Sequence, residues 1–441
     1  MIRWRTVVSA PIALAALVGP AAGQGGAPKT AAKSAAVQAP KFEVEMLWPK
    51  PMPNRWILGG VTGVAVDSRD HVFVLSIPDY FNARTEIGSG TNPPTGECCS
   101  PAPAVLEFDV SGALVASWGG PGEGYQWPTT PRGLAVDPQG NLWIGGAGGN
   151  DTRILKFSRE GKFVMEIGKS VAAAPSQPAA APAASDTAYA GVSGRAAGGR
   201  GGGRGGRGGG RASVPTVPPN NASMESFGGV SGISFDAAAN EAYIADGSRN
   251  HRVAVVDMNT GAIKRVFGAY ANKPEDASPG AYSPDKPASK QFGAVSCAEV
   301  SKDGFVYVCD RTNDRIQVFK KDGSFLKEKV IAPKTLGDGS VWDVAFSADP
   351  QQKYLYVADG MNMKVWVLDR QSLDVLSSFG DGGRQPGQFY AVSAVATDSK
   401  GNLYTGETLQ GKRVQKFTFK GVSAVTKQDA GVVWPRKGGD R

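Results

Sequence analysis

Short apolar runs, five to seven residues long and divided by polar turns, recur along this chain in a fixed order of three kinds. The first kind ends on a small or acidic residue. Its copies begin at Gly63, Gly133, Gly232, Cys297, Asp343 and Ala394, as in Gly63-Val64-Ala65-Val66-Asp67. The second follows a polar turn: HVFVLS from His71, NLWIGG from Asn141, EAYIAD from Glu241, FVYVCD from Phe305, YLYVAD from Tyr354 and NLYTGE from Asn402. The third mostly opens on a basic residue: RILKF from Arg153, RVAVVD from Arg252, RIQVF from Arg315, KVWVLD from Lys364 and RVQKF from Arg413, with AVLEFD from Ala104 as the first copy. A weaker fourth run closes near an aromatic residue and Gly, as in Ser117-Trp118-Gly119 and Ser378-Phe379-Gly380. The alternation and the β-branched and aromatic content predict strands.

Four strands make one small antiparallel sheet, which cannot bury both of its faces alone, so the units stack radially. Six units predict an all-β, six-bladed β-propeller over 41–421. The sixth unit lacks a fourth strand, while an unmatched one, 42–47, stands at the other end of the propeller. It is expected to become the outer strand of the last blade, closing the ring and removing an open edge. Residues 170–227, rich in Ala and Pro and carrying GGRGGGRGGRGGGR from Gly198, hold too few large apolar side chains to offset their ordering entropy. They read as a disordered surface insertion between the second and third blades, and 422–441 as a tail.

The start of the chain reads as a signal peptide, 1–23: Arg3 and Arg5, a short apolar stretch from Thr6 to Val18, then Ala21-Ala22-Gly23. The stretch is too short for a mature spanning helix, so no integral anchor is expected after cleavage. The protein is expected to be secreted or periplasmic, with 24–40 a disordered leader. The net charge of +8 shrinks to +1 once those two arginines and the five of the glycine tract are set aside. The folded part is therefore near neutral, and specific nucleic-acid binding is not expected. Weak contact of the arginine–glycine loop with anionic surface polymers is.

Export permits disulfides. Cys297 and Cys309 flank a turn centred on Asp303 and should face each other across paired strands, either as a disulfide or as two small core residues. Cys98-Cys99 lies in a Pro/Gly-rich loop and reads first as a vicinal disulfide, second as a reactive pair. With only two histidines, His71 and His251, a Cys/His zinc site and a Ser/His/Asp triad are both disfavoured.

The stretch from Tyr307 to Phe319, YVCDRTNDRIQVF, followed by Asp322-Gly323-Ser324-Phe325, resembles NHL repeats. Within that superfamily the chain is similar to the peptidyl-hydroxyglycine amidating lyase, a six-bladed propeller whose zinc is held by three histidines near the channel mouth. The matching positions here are Arg132, Ser296, Ser393 and the loop Asn150-Asp151-Thr152, none of them histidine. The chain also resembles gluconolactonase-like propellers, which bind a divalent metal through oxygen ligands in the tunnel.

Antiparallel strands bring the start of each first strand beside the end of each second one, so a single channel mouth gathers residues from every blade. The candidates there are Arg132, Asp151, Ser296, Arg311, Trp342, Tyr390, Ser393 and Glu407. Asp246, Asp310 and Asp359 recur at one repeat position and read as turn or capping residues. No cofactor is assigned. The metal that oxygen groups at the mouth would suit is calcium or another divalent ion. The expected function is a scaffold binding a small molecule or protein at the mouth. The alternative is a divergent metal-dependent lyase or lactonase.

Overall fold

The computed structural model describes residues 36–78, 81–82, 85–172 and 216–425. The expected signal peptide, most of the leader, the arginine–glycine tract and most of the tail lie outside the described residues. Six four-stranded antiparallel sheets form the ring. Their innermost strands are Gly60–Val66, Pro131–Val136, Val230–Asp236, Val295–Val300, Asp343–Phe346 and Val392–Thr397. Blades one to five each run outward in chain order, as in Val295–Val300, Phe305–Asp310, Arg315–Lys320 and Phe325–Val330.

The sixth blade is completed from the other end of the propeller. Its outer strand is Gln38–Val44, paired antiparallel with Arg413–Ala424, with Phe42 opposite Phe419. The strand thus lies a few residues earlier than the expected 42–47. Met46 and Leu47 have already left the sheet and are exposed, whereas Ala39, Phe42 and Val44 are buried. Pro40, which looked like the end of a leader, is tolerated because an outer strand needs no hydrogen bonds on its free side.

The first block's closing acid has a local task. Asp67 accepts from the amides of Arg69 and His71, Asp137 from those of Gln139 and Asn141, and Asp398 from those of Lys400 and Asn402. These Asx-type turns set the hairpins between first and second strands.

The basic residue opening the third block answers the acid ending the second. Arg252 bonds Asp246 at 2.7 Å, Arg315 bonds Asp310 at 2.8 Å, and Arg413 bonds Glu407 at 2.6 Å. An asparagine between them, Asn250 or Asn313, donates to the same aspartate. The other carboxylate oxygen holds the incoming loop: Gly228 N–H donates to Asp246 and Gly293 N–H to Asp310.

Blades are joined by hydroxyls reaching to a neighbour's backbone. Thr62 donates to the Pro131 carbonyl, Ser234 to Ala298, Ser296 to Val341, Ser393 to Val61 and Thr397 to Phe346. Inner strands therefore need small residues. A Cβ on Gly63 would come within 2.7 Å of Leu134 Cβ.

Both cysteine pairs are disulfides, Cys98–Cys99 and Cys297–Cys309. Cys297 and Cys309 are register partners on the two inner strands of the fourth blade. Thr216–Phe227 differs from the disordered insertion expected over 170–227. Val217, Asn221 and Phe227 are buried, and Arg252 donates to the carbonyls of Asn221, Ser223 and Ser226. A buried guanidinium that requires carbonyl acceptors orders this polar stretch. Among the described residues no helix is long and apolar enough to cross a membrane.

Candidate active site in the central channel

Inner strands of all six blades enclose a cavity of about 1060 Å³. Its wall is mostly backbone, small hydroxyl residues and apolar side chains such as Val64, Ile233, Phe235, Phe346 and Val395. Asp67, Asp137, Glu160 and Asp398 line its turn end, and within the inner strands two carboxyl groups interrupt it, Glu299 and Asp343. Both stand where the other blades carry something small. Glu299 occupies the register of Ala65, Ala135, Ser234, Ala345 and Ala396, and Asp343 that of Gly63, Gly133, Gly232, Cys297 and Ala394.

Asp343 is oriented. Its Oδ2 accepts from Val395 N–H of the next blade at 2.9 Å, and its Oδ1 from Val344 N–H at 2.9 Å. The Glu299 carboxyl has no hydrogen-bond or ion-pair partner among the described residues. Both groups touch the cavity yet are surrounded by protein. Burial pushes the Asp343 carboxyl up to about 7, against the pull of its two amide donors. Burial, and then the negative charge of Asp343, push Glu299 well above the ordinary carboxylate range.

This has a consequence for stability. The folded state keeps a proton on Asp343 up to about pH 7, whereas the unfolded chain releases it near 3.8. Between those values the folded state binds more protons, so stability falls as pH rises through that window. Asp314, also pushed up to about 7 by burial, adds to the same trend. Asp343→Asn is expected to flatten the Asp343 share, read as a smaller loss of urea midpoint between pH 5 and pH 8.

The eight mouth candidates are placed as follows. Ser296 and Ser393 line the cavity, where they also make the blade-to-blade bonds above. Asp151 is buried and turned into its own loop, accepting from the amides of Thr129, Thr130 and Gly148. Glu407 is fully buried and accepts from Tyr390 N–H, Arg413 and Gln415. The Arg311 guanidinium lies 5.0 Å from the Trp342 ring centre, and Trp342 Nε1–H donates to the Gly339 carbonyl. The Tyr390 ring carries Arg384 over its face. Arg132 is half-buried at the start of the second blade's inner strand, outside the cavity lining. The structure thus gathers these residues into separate small groups around the rim.

Glu299 and Asp343 are absent from that list, although the sequence carried a signal for them: acids breaking a register that is otherwise Gly, Ala, Ser or Cys. His71 sits in a network with Glu107 and Arg159, and His251 contacts the Gly293 carbonyl; neither lines the cavity. Among the described residues no group of three or more His, Cys, Asp or Glu could hold a metal ion. The two channel carboxyls alone do not supply the three histidines or the oxygen-rich shell that the family resemblances imply.

The fold and channel define a six-bladed β-propeller with a central channel cavity. No family model matches the chain. Among solved structures it is similar to a catalytically inactive virginiamycin B lyase from Staphylococcus aureus with quinupristin, at 12% identity and a TM-score of 0.41 over 86% of this chain and 89% of that one. It is also similar to a streptogramin B lyase, at 10% identity and a TM-score of 0.43 over 88% of this chain and 100% of that one.

Proposed function

We propose that this protein acts on a small organic molecule held in the central channel, with Asp343 as its general acid–base group and Glu299 beside it. The observation that carries this reading is the pair of carboxyls built into an otherwise small-residue inner ring, facing the central channel. A concave channel of about 1060 Å³ favours a small molecule over a protein partner. A carboxyl poised near neutrality both gives and takes a proton at working pH, which is what general acid–base catalysis needs. Lyase-type elimination and lactone hydrolysis are the two reaction classes we assign to it. The export signal in the sequence and the two disulfides support action outside the cytoplasm.

The test is turnover of a panel of γ- and δ-lactones and hydroxyglycine peptides by the wild type and by Asp343→Asn. On the substrate that turns over, the variant is expected to lose about 10²–10⁴-fold in kcat while keeping its fold. Unchanged kcat in a folded variant contradicts the assignment. A folded wild type inert to the whole panel favours a binding scaffold.

A further inference from the structure

We propose that the molecule taken into the channel carries a protonated nitrogen, and that this ammonium docks on Glu299. The inference rests on the channel reading above and adds the chemical class of its ligand. Its basis is an inventory of charge along the cavity wall. At the turn end of the cavity, Asp67 is paired with Arg69 and Arg159. There Asp137 is paired with Lys156, Asp398 accepts from Asn402 and Tyr404, and Glu160 accepts from Ser158. The remaining basic group on the wall, Lys302, is exposed there. Among the described residues no Lys, Arg or His forms an ion pair with Glu299 or Asp343.

Asp343 is satisfied by two backbone amides, whereas Glu299 reaches the cavity with no partner. Glu299 is half-buried, and leaving such a carboxyl unmatched against protein is costly unless water or a ligand completes it. A charge-assisted N–H···O bond does so, and the apolar side chains of Ile233, Phe235, Phe346 and Val395 on the wall offer a surface to the ligand's carbon skeleton. A hard divalent ion, which wants six or more oxygens, finds only two carboxyls on the inner strands, the four at the turn end being engaged by protein groups. Burial raises the Glu299 carboxyl and so favours its protonated form, whereas a docked ammonium favours the carboxylate. Proton release then accompanies binding, and affinity rises with pH. Asp343, which faces the same cavity and is itself raised, adds to that slope in the same direction.

Isothermal titration of the full chain with benzylamine, phenethylamine and 3-phenylpropylamine, each against its alcohol counterpart, tests this. At least one amine is expected to bind about ten- to a hundredfold more tightly than its alcohol. Its proton release should show as a dependence on buffer ionisation heat, and Glu299→Gln should abolish the preference. Equal binding of alcohol and amine, no amine binding below about 10 mM, an undiminished preference in a folded Glu299→Gln, or stoichiometric calcium or zinc displacing the amine would each overturn it. If the amines fail while Asp343→Asn still suppresses turnover of a neutral lactone, the ligand class is wrong and the acid–base reading stands. If an amine binds at Glu299 and Asp343→Asn leaves kcat unchanged, the reverse holds.

Discussion

Replacing Arg252 by alanine is expected to destabilise the protein by about 3–5 kcal/mol, because it strips the partner from a fully buried carboxylate. Arg252 and Asp246 are both inaccessible to solvent, and Nε–H donates to Asp246 Oδ2 at 2.7 Å. The other guanidinium nitrogens donate to the Asn221, Ser223 and Ser226 carbonyls at 2.7–2.8 Å. One substitution therefore leaves an unpaired carboxylate and three carbonyls without donors, and releases the segment that leads into the third blade. Lys264→Ala, on a partly exposed lysine, is the control and should change stability by less than about 0.5 kcal/mol. Urea midpoints of the two variants check this. A loss for Arg252→Ala no larger than the control's would mean that the ion pair is not what holds that loop.

The second large effect is expected at the ring closure. Phe42 is buried against Tyr356, Phe379 and Phe419, with ring centres 5.4, 5.3 and 6.0 Å away. Phe42→Ala should cost about 3–5 kcal/mol, since it opens a cavity where the closing strand packs between the fifth and sixth blades. Removing residues up to Val44 should do more, exposing Arg413–Ala424 as a free sheet edge. Such an edge invites pairing with another chain. The truncated protein is expected to lose its single cooperative thermal transition and to elute as soluble aggregates in size-exclusion chromatography. Leu47→Ala, just beyond the strand and 85% exposed, should leave both measurements unchanged. A truncated chain that stays monomeric and melts as the full protein does would show the ring closed by other contacts.

The blades were legible because period-two alternation and the recurring turn acid are local properties of the chain. Asp67, Asp137 and Asp398 hold their hairpins through amides two and four residues away, so their spacing is visible without any fold. The Cys297–Cys309 pairing followed from the same hairpin symmetry, and the disulfide resolves the choice left open between a bridge and two core thiols. The closing strand was legible in kind but displaced in register. Its buried residues include Ala39, next to a proline that composition alone assigns to a leader.

The site was harder to read, for a directional reason. Glu407 and Asp151 are as visible in the sequence as Glu299 and Asp343, yet their carboxylates turn back onto nearby amides and a guanidinium. Which way a carboxyl faces depends on what else competes for it. For Glu407 the competitor is Arg413, six residues on; for Glu299 no such group exists among the described residues. Thr216–Phe227 escaped notice for a related reason, because its order comes from a guanidinium far along the chain.

The central claim is that the channel holds a carboxyl proton near neutrality, ready for transfer. Carbon-13 NMR titration of the side-chain carboxyls in protein labelled at Asp and Glu, for the wild type and for Asp343→Asn, measures this directly. Two aspartate signals are expected to titrate near pH 7, those of Asp343 and Asp314; one of them vanishes in Asp343→Asn while the Glu299 signal shifts toward lower pH. If the Asp343 carboxyl titrates below about pH 5 in the ordinary aspartate range, the channel pair carries no such proton and the account is wrong.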